Sequence, residues 1–239
     1  MNLKPIISLL NVQFLSSLRS FASVFYTLFL PGFLFVIFGL VFRVTGEYAV
    51  FFLPGMIGVM VSSDAMFATG PVVKQYYVLG IVREFRSYPI ATAWLFVTFV
   101  LVRLVFVTIA ALVLIAISSF LFSYIPDPPV IVRYTIGVIL CYSIYSFIAL
   151  SVSFFGIVDN RDQGILSVYY FGGMFLADAY IALSRSSPIL DLVGYIFPLK
   201  VVLKYMRGSD LDLLYLFVWL AVSVVLLIAV LSARKSTRV

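Results

Sequence analysis

The chain has 239 residues, of which 64% are hydrophobic and only 11% charged, with a formal net charge of +6. Soluble globular domains carry about 25% charged residues, so this composition excludes a soluble fold that hides its apolar surface in one core. The chain has no histidine, a single cysteine (Cys141) and only Glu47 and Glu84 as glutamates, which excludes His–carboxylate and Cys–His metal sites, Ser–His catalysis and an intrachain disulfide.

The basic excess suits loops anchored at anionic lipid headgroups. No hydrophilic segment interleaves basic residues with aromatics, so nucleic acid is not an expected partner. The first twenty residues read as a retained interfacial helix, because Asn11, Gln13, Ser16, Ser17 and Arg19 interrupt the apolar run and no small-residue cleavage site follows. Helical spacing places Leu3, Ile6, Ile7, Leu10, Phe14, Leu18 and Phe21 on one face, and Lys4, Ser8, Asn11 and Arg19 on the other.

Phe21–Phe42 then runs without a charge, long enough for a ~30 Å hydrocarbon core that roughly 20 helical residues cross. It is the first of six predicted spans, with a kink expected at Pro31-Gly32. The second occupies 48–73, followed by a polar cytoplasmic joint over 74–89. The third lies within 90–125, and Pro126-Asp127-Pro128-Pro129 is expected to form a rigid outer turn. The fourth takes 131–158, residues 159–164 return the chain, and the fifth covers 165–183.

Between Asp191 and Lys200 only eight residues are uncharged and one is Pro198, so residues 185–210 are expected to form a re-entrant or interfacial outer hairpin of non-helical backbone rather than a span. The sixth span is 211–232. With both termini cytoplasmic, the inner parts hold Lys4, Arg19, Lys74, Arg83, Arg86, Arg161, Arg234, Lys235 and Arg238. The outer parts hold fewer, namely Arg43, Arg133, Arg185, Lys200, Lys204 and Arg207, as the positive-inside tendency requires. The sequence therefore predicts an all-α polytopic protein of the cell membrane, a single transmembrane domain over 1–239.

Charges within the spans are the functional candidates, since each costs roughly 2.5–3.5 kcal/mol at a helix centre. Helical rise puts Asp64 ~15 Å and Arg103 ~20 Å above the cytoplasmic joint, near enough for a pair. Such a pair either only fixes helix packing or lies on a substrate path. Asp178, on the fifth span below the hairpin, is a second candidate that could instead snorkel to the surface. An enzyme would need an aspartate pair or a Ser–Lys dyad, and no G-x-x-x-x-G-K-[ST] phosphate loop is present. Gly80-Ile81-Val82-Arg83-Glu84-Phe85-Arg86-Ser87-Tyr88-Pro89 reads as a short amphipathic element: Ile81, Val82 and Phe85 dock, and Arg83, Glu84 and Arg86 face water. It is either an ordinary basic loop or a docking surface for a cytoplasmic partner.

Six spans in this length, an interfacial N-terminal helix, the Gly80…Arg83-Glu84…Pro89 element and a broken hairpin after span five resemble the membrane subunit of ABC-2 type transporters over nearly the whole chain. The family's element is Glu-x-Gly-Thr-(Leu)-Glu-Arg-x-x-x-x-Pro; here Tyr77-Val78-Leu79 replaces the acidic residue before the glycine. Phe171-Gly172-Gly173-Met174-Phe175 resembles the small-residue motif before the hairpin, with Ala177-Asp178 departing from it. Phe197-Pro198-Leu199 through Arg207-Gly208 resembles the hairpin itself, marked by Pro188, Pro198 and Arg207.

The resemblance implies a non-enzymatic permease without its own cofactor, with two copies of a separate ATPase subunit holding ATP and Mg. Gly80, Arg83, Glu84, Phe85, Arg86 and Pro89 would couple to that ATPase. A second copy of the chain, or a related one, would complete the path, surrounded by membrane lipids. Amphipathic drugs, lipids, glycans or peptides would be its cargo. A haem-exporter-type subunit, an ion-coupled secondary transporter using Asp64 or Asp178, and a structural or assembly-factor membrane protein are the alternative readings.

Overall fold

The computed structural model describes residues 4–42, 46–85, 87–88, 93–155, 162–181, 187–209 and 212–236. Among them the chain is all α, in ten helices. Helix α1 is Lys4–Arg19. Helix α2 runs through Phe21–Val24, a π-helical turn Phe25–Phe29 and Leu30–Val41. Helix α3 runs through Gly46–Asp64, a second π-helical turn Ala65–Thr69 and Gly70–Val78. The short α4 is Ile81–Phe85, α5 is Ala93–Phe122, α6 is Pro128–Phe155 and α7 is Asp162–Leu176. Helices α8, Pro188–Gly194, and α9, Pro198–Met206, form the hairpin, and α10 is Asp212–Ser236.

Among the described residues four helices are long and apolar enough to cross a membrane: Tyr48–Val78, Trp94–Phe122, Pro128–Phe155 and Asp212–Val230. The apolar Thr27–Val41 stretch is shorter. Tyr48–Val78 is mostly buried and forms the centre of the bundle, whereas Asp212–Val230 is almost wholly peripheral. Helix α6 packs against α3, α9 and α10, and α5 carries α1, α2 and α3. The core is aromatic: Phe35 stacks on Phe52 at 5.3 Å and meets Phe122 edge-on at 5.4 Å. Cys141 is a fully buried core residue, in line with its place in an apolar run.

Both π-helical turns have the same cause. Pro31 and Pro71 have no N–H to give the carbonyl four residues back, and their rings press on it. Those carbonyls belong to Thr27 and Phe67, and in each case the helix widens around that residue. The expected kink at Pro31-Gly32 is thus taken up one turn earlier, over Phe25–Phe29.

Several expected boundaries move. The second span does not end at Val73, because α3 continues to Val78. Lys74, expected in an exposed joint, is buried against Asp162 at 2.9 Å. Pro128 and Pro129 do not belong to the outer turn but open α6, where a missing N–H costs nothing. The Val130 and Ile131 amides close on the Asp127 carbonyl at 2.9 and 3.0 Å. Before it, α5 stops at Phe122 because Ser123 takes the left-handed conformation, φ 53°.

The predicted fifth span shortens to α7, ending at Leu176. Asp178 lies in the following turn at φ 58°, not on a span. The hairpin, expected to be non-helical, is two short helices joined at Tyr195–Phe197, and α9 is buried nearly throughout. Helix α1 also departs from expectation. Ile6 and Gln13 are buried, Gln13 against Leu95 of α5, while Ile7 and Leu18 are exposed. The face that reads as apolar thus holds both packed and exposed positions, so the spacing alone does not reveal which part of it is packed.

Helix α3 and the turn after α7 meet at backbone distance. A Cβ at Gly55 would overlap the carbonyl oxygen of Ala179. Gly55→Ala is therefore expected to destabilise the fold by about 1–3 kcal/mol, read as a lowered thermal midpoint of the detergent-solubilised protein.

Candidate functional site

The intramembrane candidates Asp64 and Arg103 meet. Arg103 Nε donates to Asp64 Oδ2 at 3.2 Å, and Nη2 reaches Oδ1. Thr27 completes the group: its hydroxyl donates to Asp64 Oδ1 at 2.7 Å and accepts from Arg103 Nη2 at 2.9 Å. All three side chains are buried. Asp64 is the last residue before the second π-helical turn, and Thr27 is the centre of the first, so both prolines help to set the geometry. The group is a self-neutralising ion pair, the form in which charge is tolerated at membrane depth.

This pair lines a cavity of about 650 Å³ between α1, α2, α3 and α5. Its other polar walls are Gln13, Ser16, Ser17, Ser20 and Ser63, and Tyr76 and Ile81 close one end. A second cavity of about 670 Å³ lies between α2, α3 and α7, lined by Leu34, Phe38, Met56, Val59, Met174 and Phe175 among others. It exists because α2 leans on α5 and touches α3 only sparsely. Ser63 and Phe67 line both cavities, and Phe67, in the second π-helical turn, packs edge-on to Tyr170 at 5.4 Å.

The element at 80–89 is brought close to the polar cavity. Gly80 adopts φ 76°, a conformation glycine takes without cost, and it turns the chain out of α3 into α4. The Leu79 amide closes α3 on the Gln75 carbonyl at 2.8 Å, and the Ser87 hydroxyl caps the Glu84 carbonyl at 2.6 Å. Val82 is buried, Ile81 forms part of the cavity wall, and Phe85 is half-buried. Arg83 and Glu84 are exposed. Arg86 and Pro89 lie outside the described residues.

Asp178 does not join Asp64. It belongs to the hairpin, where the buried Lys200 stands 3.4 Å from Asp178 Oδ2 and 2.7 Å from Asp191 Oδ1, and donates to the Asp191 carbonyl at 3.0 Å. The hydrogen bond from Lys200 holds the Asp191 carboxyl below the usual range. Arg207 donates to the Phe51 carbonyl at 3.0 Å and the Asp178 carbonyl at 2.8 Å, and its guanidinium covers the Phe51 ring at 3.7 Å. Burial pulls Arg207 down to about 10, which leaves it charged at neutral pH. Pro198 starts α9 and Pro188 starts α8, each at a position that needs no N–H. These hairpin charges clamp α3, α7 and α9 together.

Sequence reasoning missed Thr27, Gln13, Lys200 and the Lys74–Asp162 pair. Thr27 carried one signal, as a polar residue in the middle of an apolar span. Lys200 gave none, since basic residues are common at membrane edges. Among the described residues no three His, Cys, Asp or Glu side chains stand close enough to hold a metal ion. No protein-family model matches the chain, and no curated protein is significantly similar to it.

Proposed function

We propose that this chain is the permease subunit of an ATP-driven exporter of the ABC-2 type, moving an amphipathic substrate and powered by a separate ATPase. In this reading α2 and α7 join the four long helices to give six spans, both termini are cytoplasmic, and two permease chains meet two ATPase subunits. ATP and Mg belong to the partner, which accounts for the missing phosphate loop, and this chain carries no catalytic group.

The observation that carries the reading is the placement of α4. This one-turn helix shows Arg83 and Glu84 to solvent on one face. Its other face, through Ile81, is a wall of the cavity that holds the Asp64–Arg103 pair. A partner pressing on α4 would act on that cavity without touching it.

The test is affinity purification from native membranes in mild detergent, with the bound proteins identified by mass spectrometry. A stoichiometric soluble protein with a phosphate-binding loop is expected. Replacing both Arg83 and Glu84 by alanine should reduce its recovery at least fivefold while leaving membrane insertion unchanged, because both side chains are exposed. Unchanged recovery would remove their coupling role.

The ion-coupled reading has one observation in its favour, that Asp64 lines a cavity. Transport abolished by an ionophore and insensitive to ATP depletion would select it.

A further inference from the structure

Helix α3 is the centre of the bundle, and from Phe52 to Gly70 its single exposed residue is Phe67. That exposure is onto the two cavities, since Phe67 and Ser63, one turn apart, line both. The divide between the cavities also runs along α2, where Thr27 lines the polar one and Leu30 and Pro31 line the apolar one. There the Thr27 hydroxyl ties α2 to α3 by donating to Asp64 Oδ1 at 2.7 Å. Tyr170 closes on the same place from α7: it meets the Phe67 ring edge-on at 5.4 Å and is hydrogen-bonded to the Ser63 side chain.

The backbone under this ring is the part of α3 best able to move. Phe67 is the middle residue of the second π-helical turn, Ala65–Thr69, which holds one residue more than an α-helical turn. Passing that surplus residue to the next turn keeps the helix intact on both sides, and a shift of one position turns a side chain by roughly 100° about the axis. Among the described residues the Phe67 ring has one ring contact, Tyr170, and the cavities on either side leave it room to swing.

We infer that Phe67 is a gate between the two cavities: held by Tyr170, its ring closes the passage between α3 and α2, and a swing within the π-helical turn opens it to a small solute. The gate goes beyond the exporter reading, because every part of it lies in this chain and none of it needs an ATPase. In an exporter, movement of α4 would reach it along the last turns of α3.

The experiment measures alkylation by iodoacetamide, a small uncharged reagent that favours water, on the purified full chain in lipid nanodiscs. Met174→Cys places a thiol on the apolar cavity alone and Ser17→Cys one on the polar cavity alone, and the unsubstituted chain, whose Cys141 is fully buried, gives the background. The thiol at 17 is expected to react fast and the thiol at 174 slowly. Phe67→Ala should speed the reaction at 174 at least tenfold and leave the rate at 17 unchanged. If that variant raises both rates its fold has loosened, and Phe67→Leu, which keeps an apolar side chain but removes the ring, decides with a rise of at least threefold at 174 alone. Tyr170→Phe separates a gate from a fixed wall. It keeps both rings and removes only the bond to Ser63, so a wall would stand as before, whereas a gate opens more often and the rate at 174 rises at least threefold. A rate at 174 indifferent to Phe67→Ala and Phe67→Leu, or indifferent to Tyr170→Phe, would overturn the gate. Absence of a co-purifying ATPase changes none of these rates, so failure of the gate and failure of the exporter reading are told apart.

Discussion

Arg103→Gln is expected to destabilise the protein by about 3 kcal/mol or more, the cost of leaving the Asp64 carboxylate buried with only the Thr27 hydroxyl as partner. Asp64→Asn should cost a similar amount, because it leaves the Arg103 guanidinium buried without its counter-charge. The double variant removes both charges and should recover part of the loss, with a coupling energy of at least about 1.5 kcal/mol. Thermal unfolding of the four proteins in one detergent measures the cycle, and additive effects would show that the contact carries no energy. The same set separates packing from transport. If the pair only fixes helices, transport by the double variant follows its stability. If the pair lies on the substrate path, the double variant folds and transports at least tenfold more slowly.

Lys200→Met is expected to cost on the order of 3 kcal/mol, at the lower end for breaking a buried pair, since Arg207 still holds the Asp178 turn through its carbonyl. Methionine fills the space of the lysine stem, so the loss reports the charge rather than a cavity. The hairpin should loosen first, and proteolysis or hydrogen exchange over 187–209 reads that local opening. A pH signature accompanies it. The Asp191 carboxyl is held below its ordinary range by Lys200, so it adds stability above the unfolded value near ~3.9 and loses it as pH falls through the lower folded value. Wild-type protein should lose hairpin protection below about pH 4, and Lys200→Met should lack that dependence. An identical acid profile in both would sever Asp191 from the clamp.

The organisation of the chain was legible where it depends on local composition. Long apolar runs with few charges marked the four membrane-length helices, the charge at Asp191 and Lys200 with Pro198 between them ruled out a span, and the 80–89 segment read as a short amphipathic element. Boundaries failed where the environment supplied partners the sequence does not show. Lys74 remains helical because Asp162, 88 positions away, pairs with it inside the protein. Helix α7 stops at Leu176 because the Lys200 and Arg207 contacts hold Asp178 in a left-handed turn.

The candidate site divides in the same way. Depth along a helix is linear in residue number, so the sequence by itself put Asp64 and Arg103 at matching heights and identified both as residues whose burial needs a partner. Rotation about a helix axis is not readable when every face is apolar, and each π-helical turn shifts that rotation. Only the tertiary structure could bring Thr27 to the pair, bond Gln13 to the Leu95 carbonyl and set Ile81 in the wall of the same cavity. These contacts join positions 37 to 82 residues apart in the chain, counted between hydrogen-bonded partners. The sequence determined a membrane-embedded helical chain with few permitted charges; packing decided which of them meet and what space they enclose.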